Sequence, residues 1–447
     1  MNLPLNELSR CFQGVVPSIV VTADAAGTPN VTFVSQVHQV DDKHVALSCQ
    51  FFNKTRRNLD ENPRAWVEVH DPLTLQTYRL RLRFLRSEKS GPLFDSMSMR
   101  IQAIASHTGM TGIFRLIAAD VFEVESAEKN EGFLADVADD PDDHVTVEGV
   151  RHEVRGLQFV SEAINRAGCL EALLDAVLES LDKYFGFEHT MILLEDECTK
   201  RLVTMASRGY GESGVGAEVA PGEGFIGTVA RNRRVLRMSG LTTELRYGRT
   251  IRREHGAVTP EVPLPGLPDA QSVLVIPLTI GERLVGVISA EDRDPMRFGE
   301  WDETYLQVIA NQIALGVDRM MAAEDPEPAA VVSAAAPKAG GARRTFTFYK
   351  NDDCVFVDGD YLIRNVPGRI LWKLLGDFQR EGRTEFSNRE LRLDESLGLP
   401  AIKDNLESRL ILLRKRLDEK CGDVRIVPAG RGRFELQVSA AVELVEK

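Results

Sequence analysis

Pro221-Gly-Glu-Gly-Phe-Ile-Gly-Thr-Val-Ala-Arg231 and, further on, Ser272-Val-Leu-Val-Ile-Pro-Leu-Thr-Ile-Gly-Glu-Arg-Leu-Val-Gly-Val-Ile-Ser-Ala-Glu291 decide how the middle of this chain is read. The glycines of the first stretch permit a tight turn, and Phe225, Ile226 and Val229 then start a helix with an inward apolar face. The second stretch reads as two paired strands around a Gly281-Glu282 turn. Gly222-x-Gly224-x-x-Gly227 also has the spacing of a dinucleotide-binding loop. That reading needs a strand–turn–helix unit opening on the glycines and an acidic residue about 20 positions on, and the sequence offers neither.

Outward from this centre, residues 154–186 are predicted as one amphipathic helix. Leu157, Val160, Ile164, Leu170, Leu174, Val177, Leu181 and Phe185 recur at near-helical spacing, with a slip around Gly168. Strands follow at Met191-Ile-Leu-Leu-Glu-Asp and Leu202-Val-Thr-Met-Ala-Ser. A last helix over 300–321 places Trp301, Tyr305, Val308, Ile309, Ile313, Val317 and Met320 on its apolar side. In this order the segments resemble a GAF domain across about 155–322. The resemblance implies an α/β/α sandwich with a small-molecule pocket between the sheet and its covering loops. The covering segment 237–271 contains Arg246, Tyr247, Arg249, Arg252, Arg253 and His255, which fit either an anionic ligand or a solvated basic loop. Phe298 and Asp302-Glu303 match part of a cyclic-nucleotide pattern, but its upstream Asn-Lys pair is missing, so the ligand class stays open.

The first segment alternates in the manner of strands: Ser18–Asp24, Pro29–Asp41, His44–Phe52, Ala65–Asp71, Thr77–Glu88 and Ala118–Ala127. Short turns between the early strands suit an antiparallel meander closing into a small barrel. After the third strand comes Phe51-Phe-Asn-Lys-Thr-Arg-Arg-Asn58, an aromatic strand end running into a helix start. An amide, a cation and a hydroxyl beside free backbone N–H groups suit a phosphate, and the same residues suit an ordinary capped helix with solvated basic side chains. Over roughly 5–128 the layout resembles the pyridoxamine 5′-phosphate oxidase-like split barrels that bind flavin mononucleotide (FMN). By that resemblance Asn53, Lys54, Thr55 and Asn58 hold the phosphate, while Ser35, Gln36, Gln50 and Phe51 edge the flavin ring. The vitamin-phosphate residues of the true oxidases are absent, which argues against vitamin B6 oxidation. Arg79, Arg81 and Arg83 share one strand face and read as an anion site or a solvated barrel edge.

The tail runs as short strands, three helices and a hairpin. Pro367 lies at a helix start, Ser387 and Glu390 have capping-box spacing, and Ile402, Leu406, Leu410, Leu413 and Leu417 form a stripe. The order resembles a response-regulator-type winged helix over about 345–440. By that resemblance Lys403, Asn405, Ser408 and Arg409 face bases, and Arg414, Lys415, Arg416, Arg431 and Arg433 meet phosphates. Asp404 and Glu407 on the same helix oppose DNA, and protein contact is the competing use.

Composition sets the frame. The 447 residues carry a net charge of −13; residues 343–447 hold 20 basic and 18 acidic residues, so the remainder bears −15. That excess opposes nucleic-acid binding by the first two segments. Six scattered cysteines lack metal or disulfide spacing, and no leader or membrane span is legible, so a cytoplasmic chain without a metal is expected. Two stretches, Ala135–Gly149 and Ala322–Arg344, read as tethers. The expected multidomain α+β architecture is then an antiparallel split β-barrel (1–130), an acidic linker (131–152), a GAF sensor (153–322), an Ala/Pro/Gly linker (323–344) and a winged helix (345–447). A ligand- or redox-responsive homodimeric regulator is the function this implies. An FMN-dependent oxidoreductase or flavin reductase, and a signalling scaffold with a protein-binding tail, are the alternatives.

Overall fold

The computed structural model describes residues 3–13, 17–50, 53–72, 74, 76–107, 115–130, 147–241, 262–322, 343–351, 353–397, 399, 406–430 and 432–447. The first unit is one antiparallel sheet of seven strands: β1 (Ser18–Ala23), β2 (Pro29–Val34), β3 (Val37–Gln39), β4 (His44–Cys49), β5 (Arg64–His70), β6 (Thr77–Glu88) and β7 (Ala118–Lys129). Their order is β2-β1-β5-β6-β7-β4-β3. The stretch expected as one strand over 29–41 therefore breaks at Ser35-Gln36. Its halves lie at opposite ends of the strand order although two residues join them, which curls the sheet into a half-barrel. Val20, Val45, Leu47, Val67, Leu80, Leu82 and Phe122 fill one face, and Leu5, Leu8 and Phe12 of a 3-10 turn (Leu5–Phe12) complete that core. Helix α1 (Asn53–Glu61) links β4 to β5. Helix α2 (Pro92–His107) lays Met97 and Ile101 over Ala46, Ala119 and Val121 on the opposite face.

The second unit begins with α3 (Val147–Arg166) and α4 (Leu170–Phe185), not the single helix that the periodicity suggests. The slip at Gly168 is the chain leaving one helix for the next, and α4 ends on Gly186 in the left-handed conformation. Six antiparallel strands follow: β8 (His189–Glu195), β9 (Leu202–Arg208), β10 (Glu218–Val219), β11 (Leu236–Met238), β12 (Ser272–Ile280) and β13 (Arg283–Asp292), in the order β10-β9-β8-β13-β12-β11. Between β10 and β11 runs α5 (Gly224–Asn232), and α6 (Glu300–Ala322) closes the unit. Residues of α3, α4 and α6 share a core with one face of the sheet, and α5 shares one with the other. Burial on both faces explains why β12 and β13 read as unbroken apolar runs. Gly227 lies so close to the Ala220 carbonyl that a side chain there would overlap it. The third glycine of the motif therefore serves helix–strand packing.

The third unit pairs a four-stranded sheet with a three-stranded one. Strands β14 (Arg343–Tyr349), β15 (Cys354–Val357) and β16 (Asp360–Ile363) precede α7 (Asn365–Glu381), β17 (Glu385–Ser387), α8 (Asn388–Leu393) and α9 (Leu406–Lys420). A hairpin of β18 (Val424–Pro428) and β19 (Arg433–Val438) takes β17 as its third strand. A last strand, β20 (Ala441–Glu446), pairs in parallel with β14 and was not legible in the sequence. Ser387 caps α8, its hydroxyl accepting the Glu390 N–H at 3.3 Å. No helix among the described residues is long and apolar enough to cross a membrane.

Candidate functional site

In the first unit, Asn53 opens α1, and Phe51 lies outside the described residues. Thr55 and Asn58 are buried and pin the helix to the sheet. Asn30 Nδ2 donates to Thr55 Oγ1 at 3.0 Å, and Asn58 Nδ2 donates to Thr22 Oγ1 at 3.2 Å. Lys54 is exposed. Ser35 bonds Ser48 and Gln50 through its hydroxyl, the former at 3.2 Å. Gln36 and Gln50 are buried, and each has an amide oxygen with no hydrogen-bond partner among the described residues. Two such acceptors suit a ligand that brings its own N–H, as a flavin ring does, because an unmet buried acceptor costs about 1–3 kcal/mol. The sequence reading missed Arg56, which lies between Thr55 and Asn58 on α1. Its guanidinium pairs with buried Asp120 and donates to Ser87 Oγ at 2.9 Å. Arg81 and Arg83 pair with Glu125 and Glu123 of β7, so these strand arginines have protein partners.

In the second unit, Arg246, Tyr247, Arg249 and His255 lie outside the described residues, as do Arg252 and Arg253. The α5 face of the sheet has polar groups that the sequence reading passed over. Ser289 is fully covered between apolar neighbours, and its hydroxyl has no partner among the described residues. Two positions along, Glu291 accepts the Leu267 N–H at 2.6 Å and sits opposite His189 in the ladder. The His189 ring meets Tyr210 edge-on at 5.8 Å. The signal was available: Ser289 and Glu291 occupy alternate positions in an otherwise apolar strand, and so face one way.

Helix α2 of the first unit reaches this same face, where Met99 and Ala103 join the core around Phe225 and Ile226. Ser106 Oγ accepts the Gly224 N–H and donates to the Gly222 carbonyl, both at 2.8 Å. It thus caps α5 from another unit. His107 stacks on Phe225 at 4.2 Å between ring centroids.

The third unit meets the second through α9. Of the residues expected to contact DNA, Lys403, Asn405 and Arg431 lie outside the described residues. Ser408 is buried and Arg433 half-buried. Arg409 is only 4% exposed and points at Asp196 (3.6 Å) and the Cys198 thiol (3.3 Å). Arg414 pairs with Glu171 at 3.2 Å and Glu407 at 3.1 Å, and Lys415 with Asp175 at 2.9 Å. Arg416 stays within its own unit, bonding the Leu362 carbonyl at 3.0 Å and Glu419 at 2.8 Å. Arg364 and Glu218 add a further bridge at 2.8 Å. Ile411 joins the core beneath α4, and Val203 and Val215 pack with the tail's own core. The acidic surface of the second unit thus engages Arg409, Arg414 and Lys415.

Residues 6–126 match the family model for pyridoxamine 5′-phosphate oxidase, and residues 170–317 match that for the GAF domain. No curated protein matches. Among solved structures, the chain is similar to the GAF domain of a phosphoenolpyruvate-protein phosphotransferase from Acinetobacter. That pair is 22% identical, covering 39% of this chain and 98% of the other, with a TM-score of 0.32. It is also similar to an FMN-binding protein from Syntrophomonas wolfei (18% identity, 29% and 90% covered, TM-score 0.24). A free methionine-R-sulfoxide reductase from Neisseria meningitidis, in complex with its substrate, is a third (18%, 38% and 89%, 0.30). The chain therefore joins a pyridoxamine 5′-phosphate oxidase-like domain to a GAF domain, and an α+β unit packs against the second through α9.

Proposed function

We propose that this chain is a ligand-responsive regulator that binds FMN in its first domain and a small molecule in its GAF domain, and transmits occupancy to a winged-helix tail. Domain limits of 1–130, 153–322 and 345–447 serve this reading. One observation carries it: α9, the helix expected to read DNA, is docked on the GAF domain through Arg409, Arg414 and Lys415. A change of shape in the sensor then alters whether that helix is available. The order of β14–β16, α7–α9 and the β18–β19 hairpin supports the winged-helix assignment. The buried amide oxygens of Gln36 and Gln50 support flavin at the first domain. Asn53, Lys54, Thr55 and Asn58 remain the proposed phosphate residues, with Thr55 and Asn58 also holding α1 in place.

A homodimer fits two exposed apolar surfaces. On α6, Trp301, Val308 and Leu315 recur every seven residues and are 52%, 41% and 62% exposed, the spacing of a coiled-coil seam. On the first sheet, exposed Phe33 and Val31 pair with Ile19 and Val21.

The test is an absorbance titration of the full chain with FMN, followed by binding to duplex DNA in low salt, where counterion release favours association most. Flavin uptake, with DNA binding that grows when α9 is released, supports the proposal. Absence of a flavin spectrum removes the first element of the reading. Absence of DNA binding by an undocked variant removes the output and leaves a protein-binding tail. That second reading is favoured by the protein carboxylates already met by α9.

A further inference from the structure

We propose a third ligand site, separate from those proposed for flavin and for the sensor's small molecule: a phosphate-type oxyanion held between Arg100 of α2 and Arg237 of β11, at the junction of the first and second domains. The two guanidinium groups come from different domains and converge on one residue, Gln13. Arg100 Nη2 donates to the Gln13 carbonyl, and Arg237 Nη1 reaches the Gln13 side-chain oxygen at 3.4 Å. Among the described residues the carboxylate that pairs with this cluster is Glu303, whose oxygen takes the Arg237 Nε at 3.0 Å. Arg237 Nη1 also donates to the Phe298 carbonyl at 3.3 Å.

The donors left over define the ligand. Among the described residues Arg100 makes one hydrogen bond, and its Nε and Nη1, like Arg237 Nη2, have no protein acceptor there. A planar carboxylate matches one guanidinium fork. A tetrahedral oxyanion offers oxygens in several directions and can meet both. With two guanidiniums and one carboxylate, the cluster carries an excess positive charge in a half-buried place. The Arg100 guanidinium is accordingly held down at about 10, by burial first and by Arg237 second. The Arg100 charge also lowers the imidazole of His38 on β3, after burial, and the ladder partner of His38 on β4 is Ala46. An anion here would bridge α2 to the edge strand of the GAF sheet and so tighten the two domains against each other.

The experiment is calorimetric titration of the full chain with inorganic phosphate and, separately, with adenosine monophosphate, at ionic strength fixed with chloride. Saturable binding is expected. Arg100→Gln and Arg237→Gln should each weaken it at least tenfold, as expected for loss of a charge-assisted hydrogen-bond donor. Glu303→Gln removes the competing carboxylate and should tighten binding severalfold, a gain that misfolding cannot imitate. Preference for the nucleotide would mark the natural ligand as an organic phosphate, and preference for free phosphate would mark an inorganic one. No binding of either probe overturns the proposal. So does an affinity unchanged in Arg100→Gln, or one not raised in Glu303→Gln.

Discussion

Reversing the charges beneath α9 should release the tail. Glu171 and Asp175 lie one helical turn apart on α4 and hold Arg414 and Lys415 at 3.2 and 2.9 Å. Partly exposed pairs of this kind contribute about 0.2–1 kcal/mol each. In an E171K/D175K variant each attraction is lost and a repulsion of similar size replaces it, so the pair of substitutions disfavours docking by roughly 1–4 kcal/mol. Arg414 keeps Glu407 at 3.1 Å, which holds the figure to the lower part of that range. By RT ln K, that lower part, about 1–2 kcal/mol, shifts the docking equilibrium roughly 5- to 30-fold. The apolar contacts of Ile411 and Leu412 remain, so partial rather than complete release is expected at physiological salt. Small-angle scattering should show a larger radius of gyration, and low-salt affinity for duplex DNA should rise by a comparable factor. A charge-matched control, E282K/E300K, changes net charge equally without touching α9. If the double reversal behaves like this control in both assays, the ion pairs do not govern docking and the reasoning fails.

Other outcomes follow from single features. V308E with L315E should convert a dimer to a monomer in size-exclusion chromatography with light scattering, because both side chains are exposed along the α6 seam; an unchanged mass would exclude that seam. Gly227→Ala should lower stability by about 1–3 kcal/mol in denaturant unfolding, since its methyl group overlaps the Ala220 carbonyl; wild-type stability would mean the helix has room. His38 is held at about 4 by burial and by the Arg100 charge, below the ordinary histidine value of about 6.5. The unfolded chain then binds the proton first, so stability should fall as pH drops from 6.5 toward 4, by up to about 3 kcal/mol from this residue. His38→Gln should flatten that part of the profile, and an unaltered slope would place the titration elsewhere.

The central domain was legible because its periodicities are strong. Gly222–Ala230 and the β12–β13 hairpin are local patterns whose meaning does not depend on distant partners. The first sheet was harder to read. Ser35-Gln36 interrupts the β2–β3 stretch without a proline or glycine, and only the closure of the sheet puts the two halves at opposite ends. The tail showed its helices and hairpin but hid β20, whose parallel partner β14 lies nearly 100 residues earlier, Arg343 facing Ala441. Individual site residues were least legible. Thr55 and Asn58 read equally well as ligands or as anchors, and Arg409, Arg414 and Lys415 as a DNA face. Sequence spacing places them on their helix and is silent on what the opposite surface supplies. Gln36 and Gln50 were named by the family resemblance, and only burial shows that their amide oxygens lack a partner among the described residues.

The cap that Ser106 places on α5 has a consequence for how the chain is made. Helix α2 leaves the ribosome about 120 residues before α5 does. At roughly 5–20 residues per second that interval lasts some 6–24 s. Throughout it, Met99 and Ala103 have no Phe225 or Ile226 to lie against, and the α5 end that Ser106 will bond does not yet exist. The first domain is thus born with an unfinished side, and the second completes it on arrival. A gene cut between the two would yield a fragment with an apolar scar on α2, and its partner would carry an α5 lacking its cap.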